Sequence, residues 1–198
     1  MQSITNKIKA MQSEQKPVKL HLGCGKRFLS GFFHVDIDSY PHVELVSNVA
    51  DLSSIPSCSV DLIYASHVLG YFDFLEVELV LLEWYRVLKK GAVLRVSVPN
   101  FDKVIEVYQK YDDMKLLYGF LYGRYIRSES DKKLIFHRMI FTFKTLKEYL
   151  IKAGFESIKP YEWQETIHKD YDDYSQAYIP HLQKDTGLLM SINVEALK

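Results

Sequence analysis

Short apolar runs ending in glycine, proline or aspartate alternate along this chain with segments of helical spacing. That alternation constrains the fold more than any other feature. "VKLHLG" (18–23), "GFFHVDID" (31–38), "HVELVSNVAD" (42–51), "CSVDLIYASHVL" (58–69) and "AVLRVSVP" (92–99) read as successive strands. "FLEVELVLLEWYRVLKKG" (74–91) has helical spacing, with Leu75, Leu79, Leu82, Val87 and Leu88 approximating one face and Gly91 as its stop. "FDKVIEVYQKY" (101–111) reads as a helix, and 114–140 as a further, aromatic and basic, helical stretch. "TFKTLKEYLIKAGF" (142–155) is a helix closed by Gly154. "ESIKPYEW" and "LLMSINVEA" read as two late strands joined by a long polar loop, 164–187. Strands alternating with helices favour one α/β domain built on a mostly parallel sheet. The polar start, 1–16, reads as an N-terminal extension ended by Pro17, and 17–198 as the single domain.

Other classes are less well supported. Lys plus Arg and Asp plus Glu are 25 each, so no net field draws in nucleic acid. Cys24 and Cys58 form no CxxC pair and stand at no metal spacing. No stretch has the length of a membrane span, and the start lacks the apolar run of a signal peptide. These features lead us to expect a cytoplasmic protein, a monomer or homodimer, without a metal.

In such sheets, ligands bind at the strand ends where the strand order switches, beside the first strand. "GCG" (Gly23, Cys24, Gly25) stands there. The third glycine of a dinucleotide fingerprint is missing, since Phe28 takes its place, which counts against NAD. Asp36 is the first candidate to accept the hydroxyls of a ribose, and Asp38 the second. Asp51 can accept from an adenine amino group, and the Leu52 N–H can reach the ring. Together these features describe an adenosine pocket.

The chain resembles the class I S-adenosylmethionine-dependent methyltransferases, type 11-like, in "LHLGCG", "VDID", "ADLSSIP", "VDLIYASHVLGY", "WYRVLKKGAVLRVSVP" and "FTFKTLKEYLIKAGF". The short first loop is similar to a subgroup often found with cell-surface polysaccharide genes. The resemblance implies a Rossmann-like sheet of seven strands, helices on both faces and the last strand antiparallel. It implies S-adenosylmethionine as cofactor. Gly23, Cys24 and Gly25 would lie along its methionine part, Asp36 and Ile37 at the ribose and its neighbourhood, and Asp51 and Leu52 at adenine. Ser66 and His67 would lie by the methionine amino group and the methyl. The chain departs from the family pattern at His21, which replaces an acid, and at Gly70-Tyr71 after "VL". About ten residues separate Gly25 from Asp36, so the first helix must be very short or absent.

Transfer to a hydroxyl benefits from a general base near the methyl. His67 is the first candidate and His137 the second; His34 reads as a satisfied strand residue. His168 and His181, in the late loop, have no assigned role. The insertion at about 108–143 carries nine aromatics together with Arg124, Arg127 and Arg138, and could cover a sugar or other small-molecule acceptor. Asp170, Asp172 and Asp173 read as a solvated loop. The resulting expectation is methyl transfer to a small-molecule or glycan-linked acceptor, at oxygen. The alternatives are a catalytically silent cofactor-binding protein, an NAD enzyme and a nucleic-acid methyltransferase.

Overall fold

The structure, a computed structural model, describes residues 3–127 and 133–198. Seven strands form one sheet: β1 (Lys19–Leu22), β2 (Phe33–Asp36), β3 (Leu45–Val46), β4 (Val60–Ser66), β5 (Leu88–Pro99), β6 (Glu156–Pro160) and β7 (Ser191–Leu197). Their order is β3-β2-β1-β4-β5-β7-β6. The first five are mutually parallel, and β7 runs antiparallel to both β5 and β6. The strand order therefore reverses between β1 and β4, which places the glycine turn after β1 at the switch point.

The two faces of this sheet differ, and period-two alternation makes them differ. Leu20 and Leu22 of β1, Ile63 and Ala65 of β4, Leu94, Val96 and Val98 of β5, and Ile192, Val194 and Ala196 of β7 point into one apolar core. Three helices close that core: α1 (Ile4–Ser13), α2 (Glu76–Val87) and α5 (Phe143–Lys152). On the opposite face stand His21, His34, Tyr64, Arg95, Ser97, Asn193 and Glu195, the intervening residues of the same strands. The late segment 161–178 covers much of that face. Tyr64 Oη donates to Asp173, Asn193 Nδ2 donates to the Ser175 carbonyl (2.9 Å), and His168 stacks on Tyr64 at 4.0 Å. No helix lies between β1 and β2, so this segment stands where the short first loop leaves the sheet uncovered. A further helix, α3 (Phe101–Tyr111), packs separately with Leu117, Ile179 and Met190.

Several expectations are corrected. The N-terminal segment is a ten-residue helix capped by Ser3, and its Ile4 and Ile8 are buried in the main core. The face expected on α2 holds only at its end, where Val87 and Leu88 are buried, and fails over the preceding turns. Val77, Val80, Leu81, Trp84 and Val87 are buried, whereas Leu75 and Leu79 are 70% and 66% exposed. That segment is apolar on two faces, so spacing alone offered two solutions. Only one of them brings Trp84 inward, where its Nε1–H meets the Val49 carbonyl at 2.9 Å. The helix ends at Val87, and Gly91 lies inside β5, with its N–H on the Lys198 carbonyl. The described residues of the 114–140 stretch are mostly not helical. They include a 3-10 turn (Met114–Leu116), one short α-helix, α4 (Tyr118–Tyr122), and a small ribbon of Tyr125–Ile126 against Leu134–Ile135. Gly123, left-handed at φ +49°, ends α4 and turns the chain into the ribbon.

Candidate active site

The glycine turn is locked to the tip of β2. The Gly23 N–H donates to the Val35 carbonyl (2.8 Å) and the Gly25 N–H to Asp36 Oδ2 (2.7 Å). Both glycines have positive φ, +64° and +55°, the region that favours glycine. A Cβ on Gly23 would stand 2.3 Å from Val68 Cγ2, so only glycine fits there. A Cβ on Gly25 would meet nothing within 4 Å, which leaves that flank of the turn open. Cys24 is buried, with its sulfur near the Gly25 carbonyl and His42 Nε2, and burial raises its thiol to about 12. It is a packed thiol, not a nucleophile.

Asp36 Oδ1 accepts the Asp38 N–H (2.9 Å), so each carboxylate oxygen already holds one backbone donor and keeps a second acceptor site. Burial raises its pKa above the ordinary carboxylate value. Ile37, between the two acids, presents an exposed apolar side chain. At the next strand end, Asp51 is exposed and accepts the Ser53 N–H at 3.1 Å; that serine holds its carboxyl below the ordinary value. The Leu52 N–H, expected to be available to a ring, is donated to Glu83 Oε1 (2.9 Å). Glu83 is held there by Arg86, whose own guanidinium also reaches the Leu52 carbonyl. The Leu52 side chain lies in the core. One hydrogen cannot serve two acceptors well, so Leu52 is tied to α2 rather than open to a ligand.

Ser66, the last residue of β4, has a buried hydroxyl with no protein partner. A buried polar atom without a partner is costly unless a ligand or water meets it. With the open flank of Gly25 and the acceptor capacity left on Asp36, this orphaned hydroxyl fits an adenosyl amino acid across the β1–β4 switch.

His67 follows directly, in a left-handed conformation (φ +55°) held by its N–H on the Ser97 carbonyl. Ser191 Oγ donates its single hydrogen to the Tyr174 carbonyl (2.6 Å), so His67 Nε2, 2.8 Å from that oxygen, must be the protonated nitrogen. The lone pair is then on Nδ1. The ring stacks on Tyr174, and Arg27 lies over the ring of that tyrosine at 4.7 Å. Burial first, and then positive charge on His137 and Arg27, lowers the His67 pKa to about 3. His137 packs against Gly70 and Tyr71, three and four residues after His67. Its Nδ1–H donates to the Phe120 carbonyl (3.1 Å), its ring abuts Tyr71, and burial lowers its pKa. The structure thus brings together the glycine turn, Asp36, Ser66 and His67, with His137 beside them. It leaves Asp51 at the exposed rim.

The remaining candidates separate. His34 accepts the Leu29 N–H on Nε2 and bonds Glu44 through Nδ1, a satisfied strand residue as expected. His168 is buried against Tyr64, and His181 is exposed. Phe141 is fully buried, whereas Tyr108, Tyr111, Tyr118, Tyr122 and Phe136 are exposed, so the aromatics of 108–143 form no single surface. Arg138 pairs with Asp73 and Glu76. Asp172 pairs with Lys184, while Asp173 is buried and structural. Among the described residues no three His, Cys, Asp or Glu side chains cluster as a metal would need. Sequence reasoning missed Ser191 and Tyr174, which orient His67, because Tyr174 lies in the late polar loop and Ser191 at the start of β7, each more than a hundred residues away.

With this geometry in view, comparison with known proteins places the fold. Residues 20–96 match the family model described as a methyltransferase domain. The solved structures it resembles include a methyltransferase dependent on S-adenosylmethionine from Archaeoglobus fulgidus: TM-score 0.56, 14% identity, 98% of this chain and 93% of that one. A second, from Mesorhizobium loti, has TM-score 0.53, 17% identity and coverages of 98% and 96%. A third is the Burkholderia thailandensis 1,6-didemethyltoxoflavin-N1-methyltransferase, with 1,6-didemethyltoxoflavin and S-adenosylhomocysteine bound: TM-score 0.53, 15% identity, coverages of 98% and 77%. The chain has the fold of a class I S-adenosylmethionine-dependent methyltransferase. No curated protein matches the sequence. Among the described residues no helix of this methyltransferase fold is long and apolar enough to cross a membrane.

Proposed function

We propose that this protein is an S-adenosylmethionine-dependent methyltransferase acting on a small-molecule or glycan-linked acceptor, at oxygen. The observation that carries the cofactor assignment is the hydrogen bond from the Gly25 N–H to Asp36 Oδ2, which joins the glycine turn to the ribose acid at the switch point. Asp36 would hold the ribose hydroxyls, Ile37 and Asp51 the adenine, and Ser66 with the open flank of Gly25 the amino-acid part. The bound cofactor would supply a sulfonium methyl, reactive without help from the protein at carbon. What the chain supplies is alignment, exclusion of water and a proton acceptor. His67 Nδ1 is the candidate acceptor, since Ser191 occupies the other ring nitrogen; His137 Nε2 is the second, since Phe120 occupies Nδ1. The polar and aromatic surroundings, Arg27, Tyr71 and Tyr174, suit a small polar acceptor, which favours oxygen chemistry on a sugar-like group.

A cofactor-binding protein without transfer is the second reading. The burial that lowers His67 to about 3 favours it, because so weak a base takes a hydroxyl proton poorly. One titration separates the readings from each other and from NAD chemistry. Thermal shift is measured with S-adenosylmethionine, S-adenosylhomocysteine and NAD, on the natural chain and on Asp36→Ala. Ligand at a hundred times its dissociation constant stabilises by about 2.7 kcal/mol. The expected result is a shift with both adenosyl ligands, none with NAD, and loss of the shift in Asp36→Ala. No shift with any ligand would sink the proposal. Binding without turnover across hydroxyl acceptors would leave the second reading.

A further inference from the structure

Arg27 stands on the glycine turn, just after Gly25, with its backbone N–H on the Cys24 carbonyl (3.1 Å). Among the described residues, Arg86, Arg95, Arg127 and Arg138 each pair with a carboxylate, and Arg124 is exposed. Arg27 is half-buried and pairs with none of the described acids. Its guanidinium carbon lies 4.7 Å from the ring centre of Tyr174, the ring on which His67 stacks at 5.3 Å. It is therefore no further than about 10 Å from the centre of the His67 imidazole, the two distances laid end to end. The carboxylates of the surrounding segments are already committed. Asp36 accepts the Gly25 and Asp38 N–H groups, and Glu44 holds His34. Asp172 holds Lys184, and Asp173 accepts from the Tyr64 hydroxyl and the Ser175 N–H. Lys26, exposed beside Arg27, meets no described acid either.

A guanidinium that has lost part of its hydration gains most from a charged partner, and its planar fork of N–H donors matches a carboxylate or a phosphate. The cofactor of the proposed reaction does not supply the missing charge. Its carboxylate is balanced by its own ammonium group, and its sulfonium adds a further cation. We infer that Arg27 binds an oxyanion on the acceptor, which makes the acceptor a hydroxyl compound bearing a carboxylate or phosphate group; the inference rests on the reading given under Proposed function. With the reacting hydroxyl at His67 Nδ1, a charged substituent on the same sugar-sized unit reaches Arg27 within the span set by Tyr174. The arrangement also couples recognition to chemistry. The Arg27 charge is one of those that hold the His67 pKa down, after burial and His137. An anion paired with Arg27 offsets that charge, so His67 is a better proton acceptor when the acceptor is in place.

The test is calorimetric titration of the natural chain and of Arg27→Gln, with the melting temperature of each unliganded protein as a control. Both are titrated with S-adenosylhomocysteine and with methylthioadenosine, which lacks the amino-acid part. The S-adenosylhomocysteine complexes are then titrated with glucuronate, glucose 6-phosphate and glucose. Arg27→Gln breaks no ion pair among the described residues, so its melting temperature should match that of the natural chain. S-adenosylhomocysteine should bind both proteins alike, within about threefold. At least one charged sugar should bind the natural complex about tenfold or more tighter than glucose, the weight of one charge-assisted hydrogen bond, and Arg27→Gln should lose that margin. A margin for glucuronate alone assigns a carboxylate, and one for glucose 6-phosphate alone a phosphate. The inference is overturned if neither charged sugar exceeds glucose, or if the margin survives in Arg27→Gln. It is also overturned if the variant binds methylthioadenosine normally but S-adenosylhomocysteine about tenfold or more weakly, because Arg27 would then serve the carboxylate of the cofactor. All three results leave the cofactor site intact. A natural chain that binds no S-adenosylhomocysteine would overturn the site reading and this inference with it.

Discussion

The two faces of the central sheet solve one problem with different chemistry. On one face β1, β4, β5 and β7 offer leucine, isoleucine, valine and alanine, and three helices bury them. On the other they offer histidine, tyrosine, arginine, serine, asparagine and glutamate; Ser97 with Asn193 and Arg95 with Glu195 pair between strands, and an irregular segment meets Tyr64 and Asn193. The apolar face is non-directional and would tolerate any well-packed helix. The polar face is directional. Its cover works only if Asp173, Ser175 and His168 arrive at particular partners, and several of its buried polar atoms, including His21 Nδ1, both His168 nitrogens and the Tyr161 and Tyr171 hydroxyls, still lack one in the protein. The difference shows how a methyltransferase fold can dispense with its first helix. A loop can replace a helix where side-chain hydrogen bonds do the work of apolar burial, and it also brings Tyr174 and the strand residue Ser191 together around His67.

Breaking the apolar face should have the largest effect. Trp84 is fully buried, so Trp84→Ala should cost about 3–5 kcal/mol in urea unfolding. A loss below 1 kcal/mol would mean that the helix-covered face is not the main source of stability. On the polar face, Tyr64→Phe leaves the buried Asp173 carboxylate without its phenolic donor and should cost about 1–3 kcal/mol. If it costs nothing, the 161–178 segment is not held by that bond.

The third prediction concerns pH and sharpens the same contrast. Burial lowers His21 to about 3 and His168 to about 4. Their unfolded forms titrate near 6.5, so between that value and the folded pKa the unfolded chain holds more protons than the native one. Stability is therefore full above about pH 6.5 and falls as the pH drops, by about 1.4 kcal/mol per pH unit for each such histidine. The groups facing His21 are His34, His168, Arg27 and His42, none of which would welcome its charge, and Arg95 opposes charge on His168. Chemical unfolding between pH 7 and pH 5 should show the fall, and His168→Asn should remove one histidine's share of the slope. An identical slope in that variant would show that His168 takes up its proton without leaving the native state. The smallest effect is expected from Leu79→Ser, within about 0.5 kcal/mol, because Leu79 is on the outer face of α2. A loss of 2 kcal/mol or more would restore the helix face first expected from spacing.

The elements of the fold were legible in residues 18–99 because the apolar face of each strand recurs at every second residue and each strand ends near a turn residue. The site was legible where chemistry is local. Gly23, Gly25 and Asp36 lie within fourteen residues, and the bond from the Gly25 N–H to the Asp36 carboxylate follows from that nearness. It was illegible where partners are remote. Nothing in "ADLSSIP" says that Glu83 will take the Leu52 N–H, and nothing in "IRSES" or "GRY" says that Tyr125 will lie on Asp38.

By itself, then, the sequence determined the strand–helix alternation, the glycine turn at the switch point and the acid that faces it. These depend on periodicity and on contacts a few residues apart. Only the tertiary structure decided which face of α2 is buried, which nitrogen of His67 carries its proton, what covers the polar face of the sheet and which tyrosine bonds Asp38. Each of those depends on groups brought together across tens of residues. Their pairing is set by how the whole sheet packs, not by any local preference of the chain.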